Sequence, residues 1–130
     1  MPLYKRETWV QRSFRLTRST DFKRVRNYGK SFAHPLLVLV VLSETEANLR
    51  VGVTAGRAFG GAVQRNRAKR LLRESIRPLL PGIKIGWNLI LIARLPLLKA
   101  SFTEIQAAVK LLLQRADLFD LTNDSTLLTQ

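Results

Sequence analysis

Seven basic side chains lie between residues 57 and 77 (Arg57, Arg65, Arg67, Lys69, Arg70, Arg73 and Arg77), and Glu74 is the one acidic residue among them. Six of the seven are arginine, whose planar fork can hold two oxygens of a phosphate or stack on a base, as a lysine ammonium cannot. A second block, residues 1–30, carries Lys5, Arg6, Arg12, Arg15, Arg18, Lys23, Arg24, Arg26 and Lys30 against Glu7 and Asp21. Sixteen of the 22 Lys+Arg therefore fall in two blocks, in a chain of formal net charge +13 and sequence pI near 11.5. Charge clustered in this way points to a directed polyanion-binding surface.

Other chemistry is poorly supplied. Cysteine is absent, which removes disulfides, thiol nucleophiles and thiolate metal sites, and His34 is the single histidine. With no second imidazole or thiolate to join it, His34, just before Pro35, reads as structural. Glu44 and Glu46 stand two apart in a polar connection and read as a solvated turn. The glycines Gly56, Gly60 and Gly61 lack the Gly-Lys-Ser/Thr ending of a phosphate-binding P-loop. Trp9 and Trp87 read as packing anchors. No protein-borne catalytic constellation is present, and nothing suggests a small-molecule substrate.

These residues need a scaffold to position them. At 130 residues, 46% hydrophobic, with a mean hydropathy of −0.01, the chain is one domain's worth and can bury a modest core. The longest apolar run, Leu36 to Leu42, is far short of a membrane span, and the first thirty residues hold no apolar signal core; a soluble cytoplasmic protein is expected. Residues 1–18 read as a basic N-terminal arm, 19–115 as a single α/β domain, and 116–130 as a flexible C-terminal tail. Within the domain, Ser19 or Thr20 caps a short helix over 21–28 that Gly29 stops, with Phe22 and Val25 on its apolar face. The run Leu36 to Leu42 and the alternating Leu49 to Ala55 read as a β-hairpin. In the second strand Arg50, Gly52 and Thr54 form a small, polar face open to approach. A helix over 62–77 ends at Pro78, a strand follows over 88–94, and an amphipathic helix capped by Ser101 spans 103–115 with Ile105, Val109 and Leu112 on one side. The order α-β-β-α-β-α contains a βαβ unit, so the expected fold is a small α/β sandwich with helices on a mixed sheet.

In the helix over 62–77 the apolar Ala68, Leu71, Leu72 and Ile76 share one arc at about 100° per residue. Lys69, Arg70, Arg73 and Arg77 take the opposite side with Asn66, flanked by Arg65 and Arg67. Like charges repeated at i,i+4 destabilise an isolated helix, so an anion that relieves them is a natural partner.

The stretch Arg65-Asn66-Arg67-Ala68-Lys69-Arg70-Leu71-Leu72-Arg73 resembles the RNR signature of the bacterial ribonuclease P protein subunit, R-N-R-x-K-R-x-x-R. The likeness extends through Arg15-Leu16, Asp21-Phe22, Gly29, Val51-Gly52-Val53, Gly86 and Ile92-Ala93-Arg94, covering about residues 14–115. The resemblance implies a protein cofactor of a ribozyme, which assists removal of the 5′ leader from precursor tRNA while the RNA subunit carries the catalytic site and most of the Mg2+. It also implies a left-handed βαβ crossover, the uncommon hand. Arg65, Asn66, Arg67, Lys69, Arg70 and Arg73 match the motif that contacts the catalytic RNA, and Arg57 matches the first of two basic residues after the second strand, Ala58 replacing the other. Phe22 matches the aromatic that lines the leader cleft, where Arg26 and Arg50 are further candidates. Arg26 stands where many members place a second aromatic, Val40 where some place a tyrosine, and Asn88 where an aspartate is frequent. The alternative is a structural ribosomal RNA-binding protein. A DNA-binding repressor fits less well, because strands separate the first helix from the basic one.

Overall fold

A strand buried on both faces is apolar at nearly every position, and one buried on a single face alternates. Both kinds occur in the computed structural model, which describes residues 19–44 and 48–119. The elements are α1 (Ser19–Tyr28), β1 (Lys30–Ala33), β2 (Leu37–Ser43), β3 (Leu49–Ala55), α2 (Ala62–Ile76), β4 (Trp87–Ala93) and α3 (Phe102–Arg115), with short 3-10 turns at Arg57–Phe59, Arg77–Gly82 and Leu95–Lys99. The arm 1–18, Glu46 and residues 120–130 lie outside the described residues.

The four strands form one mixed sheet in the order β1-β2-β4-β3. β2 is antiparallel to β1 and to β4, and β3 is parallel to β4. The expected hairpin between β2 and β3 is therefore corrected: β4 lies between them. Both β2 and β4 are apolar on two faces and take the centre, whereas β3, with Arg50 and Thr54 on one face, takes an edge. Returning from β3 to the parallel β4 needs a crossover, which α2 supplies. The true hairpin partner of β2 is β1, a four-residue strand without an apolar run, and the order becomes α-β-β-β-α-β-α. His34 shapes their turn: its Nδ1 accepts from the Leu36 N–H at 3.1 Å.

One sheet face carries α2 and α3 over the main core, which includes Leu37, Leu39, Leu72, Ile76, Leu89, Leu91, Ile105 and Leu112, all fully buried. The other face carries α1 over a smaller core of Val25, Val40 and Ile90, with Phe22, Val38, Leu42 and Ile92 packed around it. Side chains alternate along each strand, so Val40, Ile90 and Gly52 form one row on the α1 face, and Leu42, Asn88 and Arg50 form the next.

The residue that follows α1 is glycine for a steric reason: a Cβ at Gly29 would lie 2.4 Å from the Val25 carbonyl oxygen and 2.7 Å from that of Val41. α3 begins with a reciprocal cap, the Glu104 N–H donating to Ser101 Oγ at 3.1 Å and the Ser101 N–H to Glu104 Oε1 at 2.9 Å. The packed domain runs past Arg115. Leu118 is buried, its N–H donates to the Leu113 carbonyl at 3.0 Å, and the Lys84 N–H donates back to the Leu118 carbonyl at 2.8 Å. Residues 116–119 thus belong to the fold and not to a loose tail.

Candidate RNA interface

The apolar arc expected for α2 is the arc it buries: Ala68, Leu72 and Ile76 are fully enclosed, and Leu71 packs at the margin. Ser75 is enclosed too, its hydroxyl donating to the Leu72 carbonyl at 2.8 Å. The basic residues of α2 divide into rows. Arg65, Lys69 and Arg73, four apart, are half-buried along one shoulder of the helix. Asn66 and Arg70 form a second, exposed row, with Arg70 opposite the buried arc, and Arg67 is exposed to one side of it. Exposed guanidiniums in two directions can meet phosphates on more than one strand of a folded RNA.

Arg57 stands ahead of this helix in the 3-10 turn Arg57–Phe59, held by the buried Phe59 and exposed itself. Gly60 follows at φ +87°, a conformation that favours glycine. Gly61 then begins α2 with no side-chain cap. The first N–H groups of the helix thus add partial positive charge next to Arg57 and Val63, the latter 80% exposed.

On the other sheet face, Phe22 of α1 lies over Gly52 of β3. A Cβ at Gly52 would come within 2.5 Å of Phe22 Cζ, so the lack of a side chain lets the ring reach the strand. The face of β3 that the sequence leaves open is thus approached first by the protein's own aromatic. Arg50 occupies the same face two residues along the strand, half-buried, in the row next to that of Gly52.

Arg26 follows Phe22 by one turn of α1, on the flank away from Arg24. Arg24 hydrogen-bonds and ion-pairs with Glu44, beyond the end of β2, so its flank of α1 faces the Leu42–Asn88–Arg50 row. Arg26, two residues on and so on nearly the opposite side of the helix, projects from the other flank and is exposed.

Glu44 itself corrects the expectation of a solvated turn. The same Oε2 that binds Arg24 accepts from Asn88 Nδ2 at 2.5 Å, and Asn88 is 2% exposed. The hydrogen bond from Arg24 to the Glu44 carboxylate raises the guanidinium pKa further above its already high ordinary value, so Arg24 stays charged throughout the working range. Sequence reasoning missed this three-residue contact, whose members are 20 and 44 positions apart.

Among the described residues, no group of three or more His, Cys, Asp or Glu side chains could hold a metal ion. No helix among them is long and apolar enough to cross a membrane.

A two-sided α+β domain, with an arginine-rich helix on one face and an aromatic above a glycine on the other, defines an RNA-binding protein. The chain belongs to the ribonuclease P protein family. The family model described as Ribonuclease P matches residues 10–117. The ribonuclease P protein component of Chloroflexus aurantiacus is 39% identical over 118 residues, 90% of this chain and 87% of the relative. That of Herpetosiphon aurantiacus is 43% identical over 110 residues, 85% of this chain and 89% of the relative. Among solved structures, the RNase P protein of Staphylococcus aureus superposes with a TM-score of 0.74 at 27% identity, covering 84% of this chain and all of that one. The Thermotoga maritima protein gives 0.68 at 27% identity, covering 77% and 96%. The function is that of the protein subunit of ribonuclease P, an endoribonuclease in which the protein is a cofactor of the RNA. Its partners are that RNA and precursor tRNA. The comparisons lend no support to the ribosomal alternative.

Proposed function

We propose that the two sheet faces divide the RNA between them. The α2 face, through Arg57, Arg65, Asn66, Arg67, Lys69, Arg70 and Arg73, binds the catalytic RNA. The α1 face, through Phe22 and Arg50 with Arg26 at its far flank, receives the 5′ leader of precursor tRNA. The observation that carries this reading is the seat of Phe22 over Gly52 on the sheet face opposite α2. It puts an aromatic on the sheet face that carries Arg50, apart from the exposed arginines of the RNR helix, so that one protein can address two RNA segments at once.

A half-buried ring and a guanidinium on one sheet face are suited to single-stranded RNA, since every base has a face to stack and every linkage a phosphate to pair. Val40, enclosed beneath α1, supplies no aromatic surface, so stacking in the cleft rests on Phe22 and on guanidinium planes. The metal ions that ribonuclease P requires are Mg2+ held mainly by the RNA. The protein contributes positive charge, and the complex works in the cytoplasm. The basic residues of 1–18 add to the same electrostatic attraction.

Reconstitution with the catalytic RNA from the same source tests the reading. Protein cations replace part of the charge neutralisation that bulk Mg2+ otherwise supplies. Precursor tRNA cleavage should therefore reach its midpoint at lower Mg2+ with the protein than without it, and the protein alone should cleave nothing. Superimposed titrations would contradict it.

A further inference from the structure

Recognition of a leader on the α1 face requires α1 to hold a fixed angle over the sheet, because Phe22 belongs to the helix while Gly52 and Arg50 belong to β3. Apolar contact secures the helix through Val25 against Val40 and Ile90 and through Phe22 to one side of that line, and leaves the Arg24 flank without it. A ten-residue helix held by apolar contact on one side can roll about its axis, and a contact on the opposite flank opposes that roll. Arg24 makes such a contact with Glu44. The carboxylate is fixed in turn: the Glu44 backbone N–H donates to the Gly86 carbonyl at 2.8 Å, and the enclosed Asn88 amide donates to Oε2 at 2.5 Å. Asn88 can do this because it is a neutral donor. An aspartate in its place would set a second carboxylate against Glu44.

We propose that Glu44 is a positioning residue for precursor tRNA: by joining Arg24 of α1 to Asn88 of β4 it fixes the roll of α1, and with it the place of Phe22 above Gly52. The inference rests on the leader reading given above, and its test separates the two. The holoenzyme is reconstituted with wild-type protein or with Glu44→Ala, Asn88→Asp, the Glu44→Ala/Asn88→Asp double variant or Phe22→Ala. Each is titrated with precursor tRNA and with mature tRNA, and the melting temperature of each protein is recorded.

Glu44→Ala should weaken precursor binding about three- to tenfold and leave mature tRNA unchanged. Asn88→Asp alone should cost a similar factor, since two carboxylates then crowd one guanidinium. The double variant should recover most of the loss, because the carboxylate introduced at position 88 can take Arg24 with no second carboxylate beside it. Simple packing at these positions would instead make the double variant the worst of the three. Suppose Phe22→Ala loses precursor affinity selectively, while Glu44→Ala has no effect, harms both ligands equally, or adds to Asn88→Asp. The positioning role is then overturned and the leader cleft stands. If Phe22→Ala shows no selective loss, the cleft fails and the positioning role fails with it.

Discussion

Gly52 lies directly beneath the Phe22 ring, so closely that a Cβ there would sit 2.5 Å from Cζ and 3.1 Å from both Cε atoms. Gly52→Ala must therefore turn or lift the ring, and precursor tRNA affinity should fall several-fold with little change in the affinity for the catalytic RNA. Gly29→Ala makes the matching control. Its new Cβ meets the backbone oxygens of Val25 and Val41, which cannot swing aside. Denaturant unfolding should show a loss of about 1–3 kcal/mol there.

The exposed arginines of α2 should act through phosphates. Arg67→Ala or Arg70→Ala should weaken binding to the catalytic RNA and lower the salt slope by somewhat under one unit per lost contact, as counterion release requires. Once the complex is saturated, dependence on leader length should survive. Binding measured across a range of salt concentrations checks both points, and an unchanged slope in a folded variant would move the interface off this helix.

The α2 surface was the most legible part of the sequence, because one helix carries its whole motif and the helical period assigns faces without any tertiary knowledge. Ala68, Leu72 and Ile76 inward and Arg67 and Arg70 outward follow from spacing alone. The sheet was less legible. The run Leu36 to Leu42 announces a two-faced central strand, but nothing local says that its neighbour is Trp87–Ala93 and not Leu49–Ala55. That choice depends on which strands can tolerate an edge. β1 was invisible because Lys30–Ala33 has no apolar pattern of its own. Of the cleft, Phe22 was legible through family likeness. Its seat on Gly52, the separation of Arg26 from Arg50, and the contact among Arg24, Glu44 and Asn88 depend on long-range geometry that periodicity does not encode.

The α3 cap offers a stability change away from RNA. Ser101→Ala removes the acceptor of the Glu104 N–H and should cost about 1 kcal/mol. Thermal unfolding should register it, while the affinity for the catalytic RNA remains that of the wild type.

The boundary of the domain can be tested at Leu118. Its side chain is 1% exposed against the core, so Leu118→Ala should cost about 2–5 kcal/mol, as other leucine truncations in a core do. A loose tail beyond Arg115 would give no change in the unfolding midpoint.

The most direct measurement of the central claim compares precursor and mature tRNA binding to holoenzyme carrying wild-type protein or Phe22→Ala. A base stacked on an aromatic is worth roughly 1–3 kcal/mol. Phe22→Ala should therefore weaken precursor binding by about five- to a hundredfold and leave mature tRNA, which has no leader, almost unaffected. Equal losses for the two RNAs, accompanied by a lowered melting temperature, would show that Phe22 only packs α1 on the sheet and would contradict the leader cleft.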